Sequence, residues 1–137
     1  MFLSRPVAMK DGETLKKILI IEDEGPIREL LFEQFSGMDG FSPYFASDGE
    51  EGISKAREVN PDVILLDVRL PKLDGFQVSK AVREVPSLND TKILMISGML
   101  VESDLPRIRE AGANSFITKP FRLTDLLTKI NELLEAG

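Results

Sequence analysis

The chain has 137 residues, 42% of them hydrophobic and 29% charged, which fits one globular domain with a core of its own. Its net charge of −6 argues against autonomous nucleic-acid binding, which needs a positive face to displace counterions, and favours cationic partners. The absence of Cys and His excludes disulfides, thiolate chemistry, sulfur-ligated metals and the commonest general base, leaving carboxylates, Lys, hydroxyls and hard metal ions.

Residues 1–16 show no sustained periodicity and read as a flexible tail, with Met9 as an alternative start. A domain is expected over residues 17–135. Lys17-Ile18-Leu19-Ile20-Ile21 is a short apolar run of the kind that forms a buried parallel strand, and Glu22-Asp23-Glu24 follows at once. Gly25-Pro26 opens a helix, Pro26 lying in the first turn where its missing N–H does no harm. Ile27, Leu30, Leu31 and Phe35 keep helical spacing, and Ser36-Gly37 and Asp39-Gly40 end it. Ser42 to Ala46 is a weaker strand. Pro43 cannot donate to a ladder, so this strand is expected at a sheet edge. Ser47 with Glu50 forms a capping-box pattern for a helix that buries Ile53 and Ala56 and stops before Asn60-Pro61.

Val63-Ile64-Leu65-Leu66 then runs apolar and stops on Asp67. A loop with Pro71 follows, and Asp74-Gly75 opens a helix carrying Val78, Ala81, Val82 and Val85. After a loop over residues 86–90, Ile93 to Ile96 is a strand ending at Ser97-Gly98. Leu105, Ile108 and Ala111 suggest a helix, but Pro106 is tolerated only in a first turn. Ser103 or Asp104 as cap resolves this, giving a short helix after a long loop and before Gly112. Ser115 to Thr118 is the last strand, followed by Lys119-Pro120. The final helix has the clearest amphipathic pattern: Leu123, Leu126, Leu127, Ile130, Leu133 and Leu134.

Strict βα alternation with apolar strands predicts an α/β fold: a five-stranded parallel sheet with helices on both faces. The edge position of the Pro43 strand fits the order 2-1-3-4-5, flavodoxin-like, with its switch point between the strands that end at Asp23 and Asp67. Four strand ends then converge on one rim: Glu22/Asp23, Asp67, Ser97 and Lys119. Two carboxylates about 4 Å apart repel by about 4 kcal/mol at an effective dielectric near 20, so such a cluster either raises its pKa values or binds a cation. An all-oxygen set suits Mg²⁺, or Mn²⁺ in its place. Taken singly, each residue has a plainer role: a solvated charge run, a loop-tightening Asp, a cap, a surface Lys. Together they suit phosphoryl transfer. Asp67 is already ionised at neutral pH and can attack phosphorus without a general base, while Lys119 and a metal ion neutralise charge. Ser97 would donate to the phosphoryl group.

Residues 16–134 resemble the receiver domain of two-component response regulators, of the chemotaxis-regulator kind. The matching pieces are Ile20-Ile21-Glu22-Asp23-Glu24, Leu65 through Phe76, Ile96-Ser97-Gly98 and Phe116-Ile117-Thr118-Lys119-Pro120-Phe121. The resemblance implies Asp67 as phosphoacceptor, Asp23 as a direct Mg²⁺ ligand, Glu22 acting through a metal-bound water, and the backbone carbonyl of Arg69 as a further ligand. It implies Ser97 and Phe116 as the switch pair, Lys119 as the phosphate-binding lysine, and a cis bond before Pro120. The donor it implies is a phosphohistidine on a sensor histidine kinase or a histidine phosphotransfer protein.

Three positions depart from the family pattern: Glu22 replaces the more usual Asp, Phe116 the commoner Tyr, and Pro106 falls inside the fourth helix, which is therefore expected to be shortened or displaced. The function implied is a switch whose β4-α4 and α4-β5-α5 surface controls a downstream partner or an output domain, without turnover catalysis. A degenerate receiver that binds partners without phosphorylation is the alternative. An aspartate-nucleophile phosphatase would want Asp where Arg69 stands. A flavin or nucleotide carrier would want a Gly/Ser/Thr-rich loop where Glu22-Asp23-Glu24 stands. If the protein is a stand-alone receiver, partners are expected to read the surface around Met99, Leu100, Arg109 and Phe116. No apolar run reaches membrane length and no secretion signal is evident, so a cytoplasmic location is expected.

Overall fold

A computed structural model describes residues 15–98 and 103–136. The strands are β1 (Lys16–Ile21), β2 (Phe41–Ala46), β3 (Val63–Asp67), β4 (Lys92–Ser97) and β5 (Ser115–Thr118). Between and after them come α1 (Gly25–Ser36), α2 (Gly49–Val59), α3 (Gly75–Arg83), α4 (Asp104–Glu110) and α5 (Leu123–Ala136). All pairings are parallel and the order is β2-β1-β3-β4-β5, as expected from the alternation and from Pro43. β1 begins one residue earlier than predicted, because Lys16 N–H donates to the carbonyl of Gly40 at 2.9 Å. The rest of the predicted tail, residues 1–14, lies outside the described residues.

Successive strand side chains alternate between two cores. Leu19, Ile21, Ile64, Leu66, Ile93 and Met95 pack with Ala56, Phe76, Val78, Val82 and Ile108 from α2, α3 and α4. Ile18, Ile20, Val63, Leu65, Leu94, Ile96 and Ile117 pack with Leu31 and Phe35 of α1 and Leu126 and Ile130 of α5. The central strands are buried on both faces, which is why they read as continuous apolar runs.

Several local expectations need correction. Leu30 is 55% exposed, because Leu31 and Phe35 already carry the buried stripe of α1 and Leu30 lies off it. The cap of α2 is Asp48 and not Ser47: its carboxylate accepts from Glu51 N–H at 2.8 Å. The partner of Ser47 is Glu51 and not Glu50, one Glu51 oxygen accepting from both the N–H and the hydroxyl of Ser47 at 2.7 Å. α3 ends at Arg83, so Val85 lies beyond it, and the loop after it contains a 3-10 turn, Pro86–Leu88. α4 is short, as Pro106 requires. It starts at Asp104, and Ser103 precedes it without a side-chain capping bond.

Candidate functional site

The parallel sheet brings the carboxyl ends of β1, β3, β4 and β5 to one rim. Ile21 pairs with Leu66, Asp67 with Ile96, and Ser97 with Thr118. One step past those pairs come Glu22 and Lys119. Counting by twos along the strands puts Glu22, Asp67 and Lys119 on the α1/α5 side, and the distances agree. Lys119 Nζ is 3.3 Å from Asp67 Oδ2 and 3.8 Å from Glu22 Oε1. Carboxylate oxygens of Glu22, Asp23 and Asp67 lie within 4.8 Å of one another. Of these three side chains Glu22 and Asp67 are buried and Asp23 is exposed.

The main chain fixes this cluster. Asp67 Oδ1 accepts from Arg69 N–H at 2.9 Å, and Glu22 Oε2 from Glu24 N–H at 3.2 Å. Arg28 of α1 donates to the carbonyls of Glu22 and Asp23 at 3.0 and 3.3 Å, an anchor with no local signal in the sequence. Gly75 sits against the end of β3 and donates its N–H to Val68 O at 2.8 Å. A Cβ there would stand 2.6 Å from the carbonyl oxygen of Asp67, so only glycine lets α3 start this close to the site. Asp74 caps α3 with a reciprocal pair: its carboxylate accepts from Gln77 N–H and the Gln77 side chain accepts from Asp74 N–H, both at 2.9 Å.

Burial pushes the Glu22 carboxyl up to about 7, and the Asp67 carboxylate beside it adds to the shift. Burial works against the Lys119 charge, but Asp67 and then Glu22 outweigh it and raise its pKa. Lys119 thus pairs with two of the three clustered carboxylates, Asp67 and Glu22.

The remaining candidates are placed differently. Ser97 is buried at the end of β4, and strand parity puts it with Met95 on the α2–α4 side of the sheet. Phe116 is half-buried and packs against that same core. Arg69 is exposed on the loop after β3. The peptide bond between Lys119 and Pro120 is cis, as expected. Arg109 and Phe116 of the expected partner surface line a groove with Leu105, Ile108 and Ala113, while Met99, Leu100 and the Val101 position before α4 lie outside the described residues.

The fold thus carries an acidic rim at its switch point and a lysine beside a strand-end Asp. Residues 18–131 match the family of the response regulator receiver domain, and the chain belongs to that family. It is 36% identical over 124 residues to a probable transcriptional regulator, ycf27, of Guillardia theta, covering 90% of this chain and 47% of that protein. It is 39% identical to the alkaline phosphatase synthesis transcriptional regulatory protein PhoP of Bacillus subtilis, covering 87% of this chain and 48% of that one. The chain therefore spans about half the length of the curated relatives it matches. Among solved structures, the chemotaxis protein CheY4 of Vibrio cholerae superposes with a TM-score of 0.83 at 29% identity, over 88% of this chain and 99% of that chain. Membership places the chain in phosphorylation-based two-component signalling. No helix among the described residues is long and apolar enough to cross a membrane.

Proposed function

We propose that the domain over residues 17–135 is a phosphorylation-dependent switch of the cytoplasm, with Asp67 as the phosphoacceptor. The observation that carries this reading is the pairing of buried Asp67 with Lys119 at 3.3 Å beside two further carboxylates. An Asp67 oxygen attacks the phosphorus of a phosphohistidine on a sensor kinase or phosphotransfer protein. The P–N bond breaks, and the imidazole leaves with its electron pair and takes a proton. Lys119, already within reach of Asp67, meets the added negative charge, and Ser97 donates its hydroxyl to the phosphoryl oxygens. Arg69 N–H holds the other Asp67 oxygen and so fixes the angle of attack.

The donor set fits a hard divalent cation. All its oxygens come from carboxylates and main chain, and buried Glu22 is held near a pKa of about 7 where a metal ion would let it ionise. Asp23, Asp67 and the Arg69 carbonyl would hold Mg²⁺, or Mn²⁺, with Glu22 acting through a bound water. The ion would supply charge neutralisation for phosphoryl transfer.

In this reading the switch pair is Ser97 and Phe116, which share one side of the sheet, and the surface of α4, β5 and α5 changes in response. Phe116 lacks the hydroxyl of a Tyr, so its inward position gains no hydrogen bond. The output is a separate partner protein or a further domain, and the only covalent chemistry is slow gain and loss of the phosphoryl group.

Intact mass after incubation with Mg²⁺ and a small acyl phosphate tests the reading. One phosphoryl adduct that needs Mg²⁺ and is absent from Asp67→Asn is expected. An adduct that persists in Asp67→Asn would overturn the assignment of Asp67.

A further inference from the structure

A continuous series of contacts runs from the main chain of Asp67 along α3 to α4, apart from Ser97 and Phe116. It begins where Gly75 presses on the main chain of Asp67 and Val68. The next residue, Phe76, is buried, and the Arg107 guanidinium of α4 stacks over its ring at 4.0 Å. One turn on, the buried Ser79 hydroxyl donates to the carbonyl of Ala111, just past the end of α4, at 2.7 Å. At the end of α3, Arg83 donates to Gly112 O and to Asn114 Oδ1, both at 2.8 Å. The same Asn114 oxygen accepts from Ile93 N–H at 2.8 Å, which ties this joint to β4. Gly112 has φ +85, and a Cβ there would meet Arg83 Cγ at 2.5 Å, so the joint is closed around glycine.

α3 is thus one stiff rod with its first residue on the phosphoacceptor strand and its length fastened to α4. α4 offers little resistance of its own. It has seven residues, Pro106 in its first turn and Ile108 as its one buried side chain. Ser79 and Arg83 hold the far end of α4 firmly. Arg107 over Phe76 is the contact nearest the site, a face-on stack without directional hydrogen bonds, and so the one that can slide.

Building on the phosphoacceptor role of Asp67, we propose that the Arg107–Phe76 stack is a positioning contact that makes the setting of α4 follow the start of α3. Ser79 and Arg83 form the fixed pivot. A change at Asp67 that moves the β3–α3 loop shifts Phe76 under Arg107 and tilts α4 about its far end. Arg107 and Phe76 touch no reacting atom and act only through α3.

The test is hydrogen exchange of residues 104–113 in the full chain, with and without beryllofluoride and Mg²⁺, beside calorimetric beryllofluoride affinity. Arg107 is exposed, and Arg107→Met keeps the stem while removing the cation. Arg107→Met is expected to reduce the beryllofluoride-induced change at α4. Because the site then no longer drags α4 with it, affinity should rise about two- to fivefold by linkage. Arg107→Lys, which keeps a cation for the ring, should restore much of the wild-type response. A role confined to stability would lower the melting temperature and leave the ligand-dependent difference intact. A full wild-type response and unchanged affinity in Arg107→Met would overturn the proposal while leaving the Asp67 reading standing. Absence of beryllofluoride binding by the wild-type chain would overturn both.

Discussion

α3 and α4 occupy equivalent places in an alternating chain, yet they are held in opposite ways. α3 has a complete capping box from Asp74 and Gln77 and buries Phe76, Val78, Ser79 and Val82. α4 has no side-chain cap from Ser103, carries Pro106 in its first turn and buries only Ile108. The difference follows from what each helix meets. α3 abuts the end of β3, where Gly75 packs directly against the main chain of Asp67 and Val68. α4 is held through α3, by Arg107 over Phe76 and by the bonds from Ser79 to Ala111 and from Arg83 to Gly112 just past its end. In the switch proposed here, α3 would be the rigid cradle for the chemistry and α4 the helix whose position costs little to change.

The largest expected effect concerns the charge held at the rigid end. In metal-free protein, between pH 4.5 and about 7, the folded chain keeps a proton on Glu22 that the unfolded chain has lost. Stability from this group is therefore full below pH 4.5 and falls as pH rises through 7, by about 3 kcal/mol in total. Denaturant titrations in a chelator should show this slope, Glu22→Gln should flatten it, and Mg²⁺ should offset it. Below that range the slope reverses. Hydrogen bonds from Glu51 N–H and from the Ser47 N–H lower the Asp48 and Glu51 carboxyls, so their contributions are lost as pH falls further.

Next is Gly75→Ala. The new methyl would meet Asp67 O at 2.6 Å and Val68 Cα at 2.8 Å, both main chain and unable to turn aside. A loss of about 2 kcal/mol in chemical denaturation is expected, with slower adduct formation at Asp67. Asp74→Ala, which removes the cap of α3, should cost about 1 kcal/mol by the same assay. Its counterpart in α4, Ser103→Ala, should change stability by less than about 0.5 kcal/mol, because no capping bond is lost. Equal losses from the last two would erase the contrast between the helices.

Much of this was legible in the sequence. Strands buried on both faces read as unbroken apolar runs, and Pro43 marked the edge, so order and topology followed. The approach of Glu22, Asp67 and Lys119 followed too, because parallel strands of similar length must end on one rim. Single residues were harder. Leu30 fits the spacing of α1 but lies off the stripe already set by Leu31 and Phe35. Ser47 and Asp48 are both good caps, and only the main-chain conformation at Asp48 selects between them. Ser79 and Arg83 gave no signal. Their partners, Ala111, Gly112 and Asn114, are about thirty residues away in sequence and are met mostly through main-chain carbonyls, which every sequence has.

The most direct measurement of the central claim is borohydride trapping after phosphorylation, followed by peptide mapping. Borohydride cleaves an acyl phosphate and leaves a reduced side chain at the residue that carried it. The account expects reduction at Asp67 alone, dependent on Mg²⁺ and on the phosphodonor. Reduction at Asp23 or Glu22, with Asp67 intact, would contradict it.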